Sequence, residues 1–227
     1  MIFKNFDWEK FAENRFNHLL IILISLFIIS PFFQAEGTMS MRPILPFIWL
    51  IAIIGIFRSI ITDNKEFYIL ASTKIFSFGL DMLAHFHLVA SFEHEVHILA
   101  RFIQIVLIVV IVVHLIKWLF SVDKVDADTV KGGICVYMLL GLMWMALYRF
   151  VYEINPNSFS VQFGQAWEFL YFSFTTLTTV GYGDITPVSS FAMMLTNLEG
   201  MAGQLFLAIF VARLVGLHIV HSQNKGV

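Results

Sequence analysis

Apolar residues occur along the chain in six blocks, and the segments between the blocks carry charged residues. The blocks cover residues 18–33, 44–61, 67–89, 96–120, 129–152 and 189–220. Each block is close to the roughly 20 residues that a helix needs to cross the hydrocarbon core of a bilayer. The pattern therefore predicts an all-α membrane protein with six transmembrane helices.

A seventh apolar segment, Gln165 to Leu177, is only 13 residues long. At 1.5 Å per residue it reaches about 20 Å, which is too short to span a bilayer. A helix of this length is tolerated at membrane depth only inside protein or beside a water-filled path. The sequence therefore predicts a re-entrant helix between the fifth and sixth transmembrane helices.

The composition is typical of a membrane protein and gives no support to nucleic-acid binding or catalysis. Hydrophobic residues make up 59% of the chain and charged residues 13%, and the net charge of −2 gives no reason to expect nucleic acid as a partner. The single cysteine, Cys135, cannot form an intrachain disulfide. No catalytic constellation is present, so we expect neither an enzyme nor an organic cofactor.

The lysines and arginines indicate how the chain is oriented. If the N-terminus is inside, all but three of the 14 basic residues lie on the inner side, the exceptions being Arg42, Arg101 and Arg149. Such a bias follows the positive-inside rule. Residues 1–17 mix both signs of charge, unlike a cleaved signal peptide. We therefore expect a multi-pass protein of the plasma (inner) membrane, in contact with lipid, with both termini cytoplasmic.

The ten residues from Thr175 to Asp184, Thr-Thr-Leu-Thr-Thr-Val-Gly-Tyr-Gly-Asp, follow the re-entrant helix directly. This run closely resembles the selectivity filter of the tetrameric potassium channels. A dehydrated cation needs oxygen ligands in place of water, and backbone carbonyls supply them if successive peptides point inward. Gly181 and Gly183 permit the positive φ angles that such a backbone requires. We call Thr178 to Asp184 the filter segment.

The resemblance implies a role for each residue of the run. Potassium ions would be bound by the backbone carbonyls of Thr179, Val180, Gly181 and Tyr182 and by the Thr179 hydroxyl, with Gly183 completing the ion-binding segment. Asp184 would lie at the outer mouth and accept a hydrogen bond from Tyr171. The filter would be supported by Tyr171, Phe172, Thr175, Thr176 and Thr178. Many relatives have tryptophans at the two aromatic positions, so the packing would differ in detail.

The chain contains one such segment, whereas a closed ring of carbonyls needs several. The resemblance implies four, and closed symmetry is the usual result of self-association. We therefore expect a homotetramer that conducts potassium passively. The alternatives are a non-conducting membrane partner with a vestigial pore, a weakly selective cation channel and a transporter subunit.

The sixth apolar block contains the candidate gate. Gly203 follows Gly183 by 20 residues, the spacing of a hinge glycine in many potassium channels. Alternatively, Gly203 belongs to a small-residue packing face. The predicted pore-facing stripe is Gln204, Leu207 or Ala208, Val211 and Val215, with Val215 as the candidate apolar constriction.

Glu199 is an acid within this block, and an intramembrane acid indicates function by default. We considered two hypotheses for it. Either Glu199 binds Thr175 or Thr176 behind the filter, or it is a protonated acid in a helix contact.

The first four helices match the topology of voltage-gated channels but not their arginine array. Every third residue of the fourth helix from Arg101 onward reads Arg, Gln, Leu, Val, Val, Ile. Asp81 of the third helix lies seven residues after Lys74, on the same face, and we expect the two to pair. The region is thus either a sensor-like domain without a working sensor or an unrelated four-helix domain. His94 and His97, near His85 and His87, are candidate regulatory residues for an outer proton or metal ligand.

These features divide the chain into four parts: an interfacial or cytoplasmic segment 1–17, a four-helix domain 18–120, a linker 121–128 and a pore domain 129–227. If the chain is complete, no ligand-binding domain follows the sixth helix.

Overall fold

The computed structural model describes residues 15–29, 45–61, 63–85, 92–123, 125–164 and 166–223. These residues form seven α-helices and one short 3₁₀ turn, Pro156–Ser158. The helices are α1 (Arg15–Ile29), α2 (Leu45–Ile60), α3 (Asn64–His85), α4 (Glu93–Ser121), α5 (Ala127–Ile154), α6 (Ala166–Leu177) and α7 (Ser190–Gln223). Residues 1–14, most of the predicted N-terminal segment, lie outside the described residues, as does His87.

Three of the described helices are long and apolar enough to cross a membrane: residues 94–121 of α4, all of α5, and residues 190–219 of α7. Helix α1 is apolar but shorter, with 15 residues, and α2 has 16. Helix α3 has 22 residues, and its polar members include Lys74 and Asp81. The all-α class is confirmed, and three candidate spans are found among the described residues, so the full set of six stays a prediction.

Helix α5 is the centre of the fold, since it packs against α1, α4, α6 and α7. Three of its glycines lie where aromatic rings from three different helices contact its backbone. A Cβ atom at Gly132 would meet Trp118 of α4, one at Gly141 would meet Phe174 of α6, and one at Gly133 would meet Phe210 of α7. Small residues allow such close approach between membrane helices.

A capping box fixes the start of α5. The Asp126 carboxylate accepts a hydrogen bond from the Thr129 backbone N–H at 2.7 Å, and the Thr129 hydroxyl lies 3.5 Å from the Asp126 backbone nitrogen. These bonds satisfy amide groups that a helix start leaves without partners. The hydrogen bonds from Thr129 lower the pKa of Asp126. The cap is therefore retained when the pH falls moderately and is lost only as the pH falls through this depressed value.

Charged side chains join α3, α4 and α5 at one level of the fold. The Arg101 guanidinium donates to Glu153 of α5 at 3.1 Å and lies 3.6 Å from the Asp81 carboxylate of α3. Gln104 donates to the same Asp81 at 2.5 Å. The expected pair of Asp81 with Lys74 is therefore wrong, because Asp81 faces α4 instead.

Arg213 joins α7 to the C-terminal end of α4, which is the end away from Arg101. Its guanidinium donates to the backbone carbonyls of Phe120 and Val122, at 2.7 and 2.8 Å, where α4 ends. Carbonyl groups at a helix C-terminus lack partners within the helix and carry partial negative charge, so a cation stabilises them.

Candidate ion pathway

Helix α6 has 12 residues and ends at Leu177, so the prediction of a helix too short to span is confirmed. At 1.5 Å per residue it is about 18 Å long. Threonine hydroxyls bind carbonyls of its last turns: Thr178 donates to Phe174 at 2.6 Å, and Thr175 donates to Phe172 at 3.0 Å. The chain then leaves the helix through a turn at Thr178 and Thr179.

The filter segment has a backbone that alternates in conformation. The φ angles of Thr179, Gly181 and Gly183 are 60°, 53° and 80°, whereas Val180 and Tyr182 between them are not positive. Thr179 is the one non-glycine residue with positive φ in the described part of the chain. A β-branched residue is strained there, and such strain persists only where surrounding contacts impose it.

Two hydrogen bonds to a single carbonyl help to impose this backbone. The Thr175 carbonyl accepts from the N–H of Val180 at 2.9 Å and from the N–H of Gly181 at 3.1 Å. The N–H of Thr179 donates to the Thr176 carbonyl at 2.9 Å. The N–H groups are thus turned back toward α6, which leaves the carbonyls of the same peptides directed away from it.

The side chains of the filter segment pack against α6 at its outer end. The Tyr182 ring stacks on Tyr171, with centroids 6.1 Å apart and planes within 2° of parallel. The predicted hydrogen bond from the Tyr171 hydroxyl to the Asp184 carboxylate is present, at 2.7 Å. Asp184 is exposed on the subunit.

The Phe172 ring packs between α6 and α5 within the subunit. Its ring is buried against Tyr148 of α5 and Phe159 of the loop before α6, with centroid distances of 4.9 and 5.5 Å. Tyr171 and Phe172 are consecutive residues, about 100° apart around a helix, so the two rings point to different neighbours. Within the subunit Phe172 fastens α6 to α5, and its predicted role in supporting the filter stays a prediction.

The chain leaving the filter segment is tied to the loop that precedes α6. The N–H of Ser160 donates to Thr186 at 2.9 Å, the N–H of Val188 donates to Ser158 at 2.8 Å, and Phe159 and Pro187 form an antiparallel bridge. Both ends of the filter segment are consequently anchored to the same subunit.

Gly203 packs directly against the end of α6. A Cβ atom at this position would collide with the Leu177 backbone carbonyl, which also accepts a hydrogen bond from the Tyr137 hydroxyl at 3.2 Å. Helix α7 continues through Gly203 without interruption, from Ser190 to Gln223. The geometry thus supports the packing role of Gly203, and its role as a hinge stays a prediction.

The predicted pore-facing stripe of α7 is exposed on the subunit. Gln204 lies beneath the filter segment, with its amide nitrogen 3.5 Å from the Thr179 hydroxyl, at the long limit of a hydrogen bond. Val211 and Val215, further along α7, are each about half exposed. Leu207 and Ala208 are exposed as well, so the described part of the subunit leaves this face uncovered.

Glu199 does not bind Thr175 or Thr176. It is fully buried, accepts a hydrogen bond from the Tyr148 hydroxyl of α5, and lies 2.6 Å from the Ser173 hydroxyl of α6. Ser173, Tyr148 and Tyr137 were missed as supporting residues in the sequence. Their role follows from the register between α6 and α7, which the structure shows: Gly203 meets Leu177, and Glu199, one turn earlier, meets Ser173, one turn earlier.

The two candidate regulatory histidines lie at the start of α4. His94 is exposed, and the Nδ1 atom of His97 is 3.7 Å from the Asp81 carboxylate. Within the described residues, no group of three or more His, Cys, Asp or Glu side chains could hold a metal ion. The sensing role of both histidines stays a prediction.

A comparison with known protein families gave a match to the segment that contains α6 and the filter segment. Residues 135–217 match the model of a family described as an ion channel, and the match includes α6, the filter segment and most of α5 and α7. This segment is similar to ion channels of that family. The match covers a little over a third of the chain. Searches of curated proteins and of solved structures found no match.

Proposed function

We propose that the chain is a subunit of a homotetrameric, potassium-selective channel. The observation that carries this proposal is the alternation of positive φ at Thr179, Gly181 and Gly183 in the filter segment, directly after a helix too short to span. Alternating left- and right-handed residues direct successive carbonyls to one side. Four such strands facing one axis would form rings of oxygen ligands for a dehydrated cation.

Potassium is the ion that the proposed pore conducts. Its ligands would be the carbonyls of Thr179, Val180, Gly181 and Tyr182 and the hydroxyl of Thr179. The filter segment is exposed on the isolated subunit, as this arrangement requires. Helix α6 ends just below it, and the partial negative charge of four helix C-termini would favour a cation there.

The exposed side of α7 supports a tetramer. Large apolar side chains are exposed along the whole helix, among them Met193, Leu198, Met201, Leu205 and Ile209. One face of α7 would line the pore, and the others would contact neighbouring subunits. Closed rotational symmetry would bring the four filter segments to a common axis.

The proposed topology has six spans, with both termini cytoplasmic. The Asp81–Arg101–Glu153 contacts and the Arg213 contacts mark opposite ends of the helices, as expected for α3, α4, α5 and α7 crossing one layer. Helices α1 and α2, with 15 and 16 residues, are about 22–24 Å long at 1.5 Å per residue, about 6–8 Å less than a typical hydrocarbon core of about 30 Å. Local thinning of a bilayer accommodates such a mismatch.

Gating by voltage is proposed to be weak. Arg101 is the one basic residue on the relevant stripe of α4, and it is held by acids on α3 and α5. A charge that moves through the field would have to leave both acids and pass the apolar centre of the helix.

The test is a reconstitution of the purified chain in liposomes with potassium inside and sodium outside. The proposal expects potassium efflux through a tetramer and a reversal potential close to that of potassium in planar bilayers. Gly181→Ala protein prepared in the same way is the control. A tetramer without flux would indicate a non-conducting membrane protein, and equal permeability to both ions would indicate a weakly selective cation channel. Either result would overturn the proposal.

A further inference from the structure

Three close oxygen–oxygen contacts join α5, α6 and α7 behind the filter segment. The Tyr148 hydroxyl contacts one oxygen of Glu199, the other Glu199 oxygen lies 2.6 Å from the Ser173 hydroxyl, and Ser173 lies 2.8 Å from the Gly141 carbonyl. We call these four groups the carboxyl chain. The side chains of Tyr148, Ser173 and Glu199 are all fully buried.

The protons in the carboxyl chain can be counted. Each of its three contacts needs one hydrogen between the two oxygens, because unprotonated oxygens repel each other at such distances. Tyr148 and Ser173 supply one hydrogen each, and the Gly141 carbonyl supplies none. If Glu199 were ionised, two hydrogens would have to serve three contacts. A protonated Glu199 provides the third.

The surroundings agree with this count. Glu199 forms no ion pair with the described lysines, arginines or histidines, whereas a buried carboxylate requires a compensating charge. The hydroxyls of Tyr148 and Ser173 are the polar groups that contact it. A neutral acid, which both donates and accepts, satisfies all the contacts that this site offers.

We infer that Glu199 is a protonated positioning residue, which donates a hydrogen bond to Ser173 and so fixes α6 and the filter segment against α5 and α7. The order of donation is Tyr148 to Glu199, Glu199 to Ser173, and Ser173 to Gly141. Gly203, one turn after Glu199, packs on Leu177, one turn after Ser173. The same edge of α6 is therefore held at two successive turns, immediately before the strained Thr179.

The effect of Glu199 on potassium conduction rests on the proposed function, whereas its protonation does not. Two measurements test these two parts separately. The first is the infrared difference spectrum of wild type minus Glu199→Gln at neutral pH. It should contain the carbonyl stretch of a protonated carboxylic acid. The same band should move to higher frequency in Ser173→Ala, because the acid then loses its acceptor. Absence of the band, or a band unaffected by Ser173→Ala, would overturn the inference even in a protein that conducts.

The second readout is potassium flux in matched variants. Glutamine can accept from Tyr148 and donate to Ser173, so Glu199→Gln should keep flux and selectivity within about twofold of wild type. Glu199→Leu removes both bonds, and its potassium-to-sodium permeability ratio should fall by about tenfold or more, the value of one to two buried hydrogen bonds.

An equal effect of the Gln and Leu variants would overturn the positioning role. If Glu199→Leu does not assemble, Ser173→Ala takes its place and should show the same fall. If wild type itself does not conduct, the proposed function fails, and the infrared band still decides whether Glu199 is protonated.

Discussion

The pore domain and the four helices before it place their buried polar groups differently. In the pore domain, Tyr148 of α5 and Glu199 of α7 form a hydrogen-bonded chain with Ser173 of the short helix α6, and the N–H groups of Thr179, Val180 and Gly181 are bound to carbonyls of α6. In the first four helices, the polar contacts include ion pairs near the helix ends, centred on Asp81 and Arg101. Neutral networks hold one precise geometry, whereas ion pairs partly open to solvent hold it less rigidly and respond to field and pH.

This difference predicts the positions at which the addition or loss of a single atom should impair function. In the pore domain an added Cβ meets a left-handed backbone at Gly181 and the Leu177 carbonyl at Gly203, whereas a change at the ends of α3 and α4 near Asp81 and Arg101 meets side chains that can rearrange. Five variants or measurements test this contrast, and they follow from the largest expected effect to the smallest.

Gly181→Ala should abolish potassium conduction and leave the tetramer largely formed. The φ of 53° at this position is unfavourable for a side chain, so the carbonyls of the filter segment would turn. Liposome flux measures conduction, and size-exclusion chromatography measures assembly. Gly164→Ala is the matched control, because a Cβ there would meet only ordinary contact with Glu168. Normal potassium current in Gly181→Ala would show that the filter assignment is wrong.

Tyr182→Asp should raise sodium permeability relative to potassium, because the stacked ring of Tyr171 loses its partner and the carbonyl ring loses its support. Removal of Gly183 should have the same effect. Reversal potentials in mixed potassium and sodium measure the ratio. Tyr182→Phe keeps the ring and should keep selectivity, so it is the control. An unchanged ratio of sodium to potassium permeability in Tyr182→Asp would contradict the role of the ring.

Gly203→Ala should destabilise the protein by about 1–3 kcal/mol, the usual cost of overpacking, because the added Cβ meets the Leu177 backbone carbonyl. Thermal unfolding in detergent measures this loss. Gly200→Ala on the same helix is the control, since apart from the adjoining backbone of its own helix no described atom lies within 4 Å of its Cβ position. If Gly203→Ala is as stable as wild type and only gating changes, the hinge interpretation replaces the packing interpretation.

Opening should depend only weakly on voltage. One charge through 100 mV is worth about 2.3 kcal/mol, so effective sensors that move about 3–4 charges in each of four subunits supply roughly 28–37 kcal/mol. Arg101 alone would supply at most about 9 kcal/mol on the same basis. A conductance–voltage curve measures the slope. A slope as steep as about ten charges per channel would show that the interpretation of α4 is wrong.

The smallest effect is expected from outer pH. Histidine changes its charge in the range of physiological pH, so lowering the outer pH to about 6 should alter open probability through His94 and His97. His97 faces Asp81 of α3, which lies near Arg101 of the same helix as His97, and Arg101 in turn binds Glu153 of α5. Recordings on the double glutamine variant test this, with His218→Gln as the control. An unchanged pH response in the double variant would eliminate both histidines as sensors.

Apolar blocks and one short motif determined the class of this protein. Helices α4, α5 and α7 lie within a few residues of their predicted bounds, because long apolar runs have no stable alternative to a helix in a membrane. The filter segment was identified from residue identity, since only glycine accepts positive φ without strain. The strain at Thr179 could not be predicted, because it is imposed by hydrogen bonds from α6.

Side-chain partners were decided by the tertiary structure. The sequence placed Glu199 near the filter, but the register between α6 and α7 chose Ser173 over Thr175 and Thr176, and that register depends on the contact of Gly203 with Leu177. Likewise Asp81 could pair with Lys74 along its own helix, yet the rotation of α3 against α4 directs it to Gln104 and Arg101. Periodicity fixes which residues share a face of one helix. Which faces meet, and at what height, depends on how side chains of several helices pack together.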